Sequence, residues 1–172
     1  MRNVFLIGFM GCGKSTVAAH LFKEYGMEIV EMDQEIARCV GMAIPEIFEK
    51  YGEEHFREEE TKLLTKCSEK HSVVVSCGGG VVLREKNVEL MKSCGTIVWL
   101  TAEPSTILER VGQDENRPLL EGNKNISRIQ SMLEKRLPCY EQAADIVVET
   151  DQREIADICL EIIEKVKDER VC

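Results

Sequence analysis

Gly8-Phe9-Met10-Gly11-Cys12-Gly13-Lys14-Ser15 decides how this chain is read. The apolar run Val4-Phe5-Leu6-Ile7 precedes it, and the helix-like Thr16-Val17-Ala18-Ala19-His20-Leu21-Phe22 follows. Strand, glycine loop and helix in that order are the context a phosphate-binding loop requires. Glycines let backbone N–H groups crowd around a polyphosphate with no Cβ in the way. The helix behind them adds unpaired N–H groups and the positive end of its dipole. In this arrangement Lys14 reaches the β- and γ-phosphates, and the Ser15 hydroxyl ligates Mg²⁺.

The rest of the chain bounds what such a loop can serve. Its 172 residues suit one domain with enough chain for a core. The formal net charge of −9 argues against non-specific nucleic-acid binding, because phosphates are repelled overall. Anionic substrates must therefore meet a few well-placed Lys and Arg side chains. The eight cysteines are scattered without a Cys-x-x-Cys pair, so neither a zinc site nor a dithiol motif is indicated. Cys12 reads either as a small loop filler or as a thiol with its pKa lowered by the helix N-terminus. No signal peptide and no apolar run of ~20 residues is seen, so a cytoplasmic protein without membrane contact is expected. No long apolar stripe announces a partner, and a monomer is expected.

Apolar periodicity predicts strands over 28–32, 73–75, 96–100 and 146–148, with helices between them. Helices are expected over 34–40, 44–51, 53–69, 84–93, 104–111, 126–143 and 153–167. The continuous run Val73-Val74-Val75 suits a strand buried on both faces of a parallel sheet. Strands alternating with helices predict a three-layer α/β/α fold around a five-stranded parallel sheet. Ligands in such folds sit at the carboxyl ends of the strands. The 8–15 loop, Asp33 and Gly78-Gly79-Gly80 all fall there.

Six pieces taken in order carry a resemblance. They are Gly11-Cys12-Gly13-Lys14-Ser15-Thr16, Met32-Asp33-Gln34-Glu35-Ile36, Phe56-Arg57-Glu58-Glu59-Glu60, Cys77-Gly78-Gly79-Gly80, Arg117-Pro118-Leu119-Leu120 and Arg136-Leu137-Pro138-Cys139-Tyr140. The chain resembles the shikimate kinases over essentially its full length. The resemblance implies a P-loop NTPase of the nucleoside monophosphate kinase type with a mobile lid. It implies transfer of the γ-phosphoryl of ATP to the 3-hydroxyl of shikimate, giving shikimate 3-phosphate and ADP on the way to chorismate and the aromatic amino acids. One domain over 1–172 is expected, with a substrate-binding segment at about 32–61 and a lid at about 112–124.

Shikimate carries one carboxylate and three hydroxyls. Arg57 and Arg136 are the candidate forks for the carboxylate, since planar guanidinium donors match it bidentately. Read from spacing alone, each is equally natural as a solvated surface charge. Glu60 lies three residues after Arg57 on the same helical face and can hold that fork; the rest of the acidic 53–60 run is expected to face solvent. Asp33 is the candidate acceptor for the substrate hydroxyls, as a base or by positioning, and it also suits the N-cap of the 34–40 helix. In the family the triple-glycine loop contacts the carboxylate side of shikimate, which points to Gly79. The resemblance makes Gly11, Cys12, Gly13, Lys14, Ser15 and Thr16 the ATP-binding loop, with Lys14 catalytic and Ser15 the Mg²⁺ ligand. Arg117 is expected on the lid, binding ATP and neutralising charge in catalysis. Arg110 matches the family arginine that stacks on adenine, with Arg153 flanking the base from the other side. The family usually carries Asp-x-Asp where this chain has Glu31-Met32-Asp33; its first Asp supports Mg²⁺ through water, and here that carboxylate is a glutamate, one methylene longer. A gluconate kinase shares the phosphate loop, but is expected to lack the paired arginines and the triple glycine.

Overall fold

A computed structural model of the chain describes residues 2–111 and 126–168. Its first strand, β1 (Asn3–Ile7), is buried along its whole length. Successive side chains of a strand point to opposite faces. Accordingly Phe5 and Ile7 join one apolar cluster and Val4 and Leu6 join another. Each fully buried side chain of this kind contributes roughly 1.5–3 kcal/mol. The phosphate loop therefore springs from a strand anchored on both faces.

Among the described residues, four more strands complete the sheet: β2 (Glu28–Glu31), β3 (Val73–Ser76), β4 (Gly95–Thr101) and β5 (Ile146–Glu149). The order is β2-β3-β1-β4-β5, and every pairing is parallel. Register sets Leu6 opposite Ser76 on one side and Val98 on the other. The carboxyl ends of β1, β2 and β3 thus open onto a common edge.

Helices cover both faces. On one side α1 (Lys14–Tyr25) packs with α7 (Ile155–Asp168) through Val17, Leu21, Ile158 and Ile162. On the other lie α3 (Ile44–Ser68), α4 (Glu85–Cys94) and α6 (Ile126–Ala143), which bring Phe56, Leu64, Met91 and Tyr140 onto Phe5 and Ile7. The α2 helix (Met32–Val40) follows β2 directly, and α5 (Pro104–Val111) packs Ile107 against Phe9 and Met10. Helices expected over 44–51 and 53–69 form one kinked element. Gly52 at φ 80°, ψ 171° breaks the helical path between them.

Three boundaries differ from expectation in ways that matter for the site. The α2 helix starts at Met32 with Glu31 as its N-cap residue, so Asp33 lies inside the first turn and is not the cap. Buried Met32 draws that turn onto the core. The residues after the triple glycine form a short 3-10 turn, Val81–Leu83, before α4 begins at Glu85. The last helix starts at Ile155, which leaves Arg153 in the preceding loop.

Candidate active site

At the end of β1 the loop turns back so that Lys14 Nζ donates to the carbonyls of Gly8 at 2.9 Å and Phe9 at 3.0 Å. The ammonium is held across the mouth of its own loop. Ser15, in the first turn of α1, donates to Glu31 Oε2 at 2.9 Å and lies 3.3 Å from Ser76 Oγ. Glu31 ends β2 and Ser76 ends β3, so two strand ends converge on one hydroxyl. The longer glutamate side chain therefore does reach the phosphate loop. Cys12 is fully buried behind the loop, its N–H bonded to the Phe9 carbonyl at 3.3 Å, and its thiol fills space there.

Arg110, in the last turn of α5, donates through Nη1 to the Gly11 carbonyl at 3.1 Å and to Thr150 Oγ1 at 3.2 Å. Its Nη2 reaches the Thr150 carbonyl at 3.3 Å. One planar cation thus joins the phosphate loop to the segment after β5. Arg153 points elsewhere: its guanidinium donates to the Glu149 carbonyl at 3.0 Å and pairs with Glu161 at 2.6 Å. It does not line the cavity described next. Its position outside the final helix lets it fold back over the start of that helix.

A cavity of about 730 Å³ runs from Gly11, Gly13, Lys14, Ser15 and Thr16 past Glu31 and Asp33 to Arg57, Glu60, the triple glycine and Arg136. Ile44, Pro45, Phe48 and Phe56 supply an apolar wall. Arg57 is buried and held from two sides: Nη1 donates to Glu60 Oε2 at 2.8 Å, Nη2 to Glu53 Oε1 at 2.9 Å and Nε to the same oxygen at 3.3 Å, which leaves one N–H on each terminal nitrogen for a ligand. Glu53 is solvent-exposed as expected, yet one helical turn before Arg57 it also clamps that side chain. Burial works against the charge on Arg57, but Glu60 and Glu53 outweigh it and its pKa rises further. Glu60 is completely buried. Burial pushes its carboxyl up to about 6, aided by the charge of Asp33 and opposed by Arg57 and Arg136.

Each glycine of the triplet makes room for a different charged group. A Cβ on Gly78 would fall closer than 3.0 Å to Glu60 Oε1 and within 3.2 Å of Asp33 Oδ1. A Cβ on Gly80 would strike the Arg57 guanidinium, and one on Gly79 would stand 3.3 Å from Arg136 Nη1. The triplet is thus a floor on which two arginines and two carboxyl groups rest. Asp33 Oδ1 and Glu60 Oε1 are buried there with no hydrogen-bond partner among the described residues. Buried acceptors of this kind are stabilised by a donor from a ligand or water. Arg136 faces the cavity from α6, with its Cζ 5.7 Å from the Phe9 ring centre.

The arrangement brings together Lys14, Ser15, Asp33, Arg57, Gly79, Arg110 and Arg136. Arg117 and the stretch expected to form a lid lie outside the described residues. Sequence reasoning missed Ser76, Glu53, Thr150 and the apolar wall; none carries a local signal, since each acts through a partner distant in the chain or, for Glu53, hides in an acidic run. A donor set of hydroxyl and carboxylate oxygens at Ser15 and Glu31 suits a hard cation such as Mg²⁺, which usually keeps several waters and substrate oxygens as its other ligands.

A cleft of this chemistry joins a polyphosphate loop to a pocket with paired guanidinium groups. The comparisons agree with that reading. The family model for shikimate kinase matches residues 10–167. A shikimate kinase from Thermodesulfovibrio yellowstonii is 39% identical over 165 residues, covering 96% of this chain and 95% of that protein. A solved structure of shikimate kinase from Acinetobacter baumannii in complex with shikimate superposes with a TM-score of 0.93 at 34% identity, covering 100% of this chain and 96% of that one. A gluconokinase from Sinorhizobium meliloti shares the fold at a TM-score of 0.61 and 16% identity, covering 99% of this chain and 96% of that one. With a full-length family match, close relatives and a cleft that has both halves of the required chemistry, the chain belongs to the shikimate kinase family.

Proposed function

We propose that this protein transfers the γ-phosphoryl group of ATP to the 3-hydroxyl of shikimate, releasing ADP and shikimate 3-phosphate in aromatic amino acid biosynthesis. The observation that carries this reading is that Arg57 and Arg136 open into the same cavity as Lys14. The guanidinium pair binds the shikimate carboxylate, and the apolar wall takes the ring. Asp33 then accepts from the hydroxyls with its unpartnered Oδ1. The attacking oxygen forms its bond to the γ-phosphorus as the bond to the β–γ bridging oxygen breaks. The hydroxyl proton passes to Asp33, late in a loose transition state, so holding that hydroxyl in line is the larger part of its work.

Lys14 leaves the loop carbonyls for the β- and γ-phosphate oxygens, where its charge offsets what develops on the bridge oxygen. Gly11, Cys12, Gly13 and Thr16 offer backbone N–H groups to the phosphates. Arg110 lies flat over the base. Ser15 and Glu31 would hold Mg²⁺, which would supply charge neutralisation on the phosphates. Arg117, on a lid at about 112–124, completes the phosphate cage and excludes water that would hydrolyse ATP. The substrate-binding segment is about 32–61. No helix among the described residues is long and apolar enough to cross a membrane; the protein acts in the cytoplasm as a monomer, without nucleic acid.

A coupled ADP-release assay with shikimate, gluconate or no acceptor tests the reading. Release that depends on shikimate and Mg²⁺ is expected. Equal release with gluconate, or release indifferent to any acceptor, overturns it.

A further inference from the structure

We propose that Tyr140 is a positioning residue for the substrate carboxylate: its buried hydroxyl ties the α6 turn that carries Arg136 to the carbonyl of Gly79. This rests on the functional reading above and deepens it. Tyr140 is fully buried, and its hydroxyl donates to the Gly79 carbonyl at 2.6 Å. It follows Arg136 by four residues, so the two side chains share one face of α6. The Arg136 guanidinium lies over the same glycine, with Nη1 3.3 Å from where a Cβ on Gly79 would stand. Burial holds the phenol well above its ordinary pKa, so it stays a donor at any working pH.

A buried phenol needs one acceptor, and many would serve. This one spends its proton on the middle glycine of the floor, the residue whose Cα Arg136 overlies. Fixing the Gly79 carbonyl fixes the peptide planes on which the guanidinium rests. On its other side Tyr140 stacks on Trp99, with ring centres 5.6 Å apart and planes 22° from parallel. Trp99 is the single tryptophan of the chain, so its emission reports on the Tyr140 side chain.

The test is Tyr140→Phe, which keeps the ring and removes the hydroxyl. The shikimate Kd by calorimetry and the shikimate KM are expected to rise about tenfold, the loss of one well-made hydrogen bond. The kcat and the KM for ATP are expected to stay near wild type, and the thermal midpoint to fall by no more than the few degrees that one lost buried hydrogen bond costs. In an Arg136→Lys background the same change is expected to raise the shikimate Kd less than about twofold, because contacts that share a partner are not additive. An unchanged shikimate Kd, an equal penalty on ATP, or an undiminished penalty in the Arg136→Lys background overturns the proposal. If Tyr140→Phe does not fold, the wild type decides: shikimate is expected to change Trp99 emission, and emission indifferent to saturating shikimate overturns it. Absence of shikimate-dependent ADP release in the wild type would instead overturn the functional reading.

Discussion

The two halves of the cleft are built by opposite means. The phosphate half is contiguous in sequence, made largely of backbone, and anchored in the central strand of the sheet. The carboxylate half is gathered from α2, α3, the loop after β3, and α6, and it is made of charged side chains stacked on glycine. A backbone site tolerates an acidic protein because its donors are partial charges that need no counter-ion. A side-chain site must neutralise each buried cation, and Glu53 and Glu60 do this for Arg57. The difference predicts that the substrate half is the more fragile and the more sensitive to pH.

Arg57→Ala tests this most severely. It removes one carboxylate fork and leaves Glu60 buried without its cation. The expected loss is about 3–5 kcal/mol of folding stability near pH 8, the usual cost of orphaning a buried charge. A smaller loss is expected near pH 5, where Glu60 takes up a proton. Shikimate affinity is expected to fall by about a hundredfold while ATP affinity stays within about twofold. Denaturant titrations at both pH values, with calorimetry for each ligand, check it. An equal loss of ATP binding breaks the division between the halves.

The next effect belongs to Glu60 itself. Its ordinary value is 4.5 and its folded value is about 6. The folded protein therefore holds the proton more tightly than the unfolded chain. The stabilisation is fully present below pH 4.5 and is lost as pH rises through about 6. The expected drop is about 2 kcal/mol at 1.36 kcal/mol per pKa unit. Chemical denaturation of the wild type and Glu60→Gln between pH 4 and pH 8 measures it. Wild-type stability is expected to fall relative to the variant; a rise relative to the variant contradicts the assignment.

The smallest effect tests the other half. Glu31→Gln keeps the length of the side chain that accepts from Ser15 and removes its charge. The Mg²⁺ concentration for half-maximal rate is expected to rise severalfold, with the shikimate KM unchanged. Activity unaltered across a Mg²⁺ titration removes Glu31 from the metal's surroundings.

This division also explains what was legible in the sequence. The phosphate loop could be read outright, because glycine spacing, Lys14-Ser15 and both flanking elements lie within a few residues of one another. Sheet and layers followed from apolar runs such as Val73-Val74-Val75. The carboxylate half was legible only through motif resemblance, and incompletely. Glycine triplets mark a loop in any protein, and only the folded chain sets Glu60, Arg136 and Arg57 over successive glycines. Glu53 looked like any acid of a solvated helix face until its ion pair appeared. Asp33 also suited a cap because the helix was expected to start at Gln34, whereas β2 passes straight into α2 at Met32. Arg153 read as a nucleotide contact through the resemblance alone, whereas the folded chain pairs it with Glu161.

The grip of Lys14 on the Gly8 and Phe9 carbonyls has a thermodynamic consequence of its own. A free lysine gives up as much as ~2 kcal/mol of rotational freedom when it is immobilised. Here folding has already spent most of that cost. An arriving nucleotide exchanges one pair of oxygen acceptors for another around a side chain that was never wandering, and more of its phosphate contact energy is left to appear as affinity.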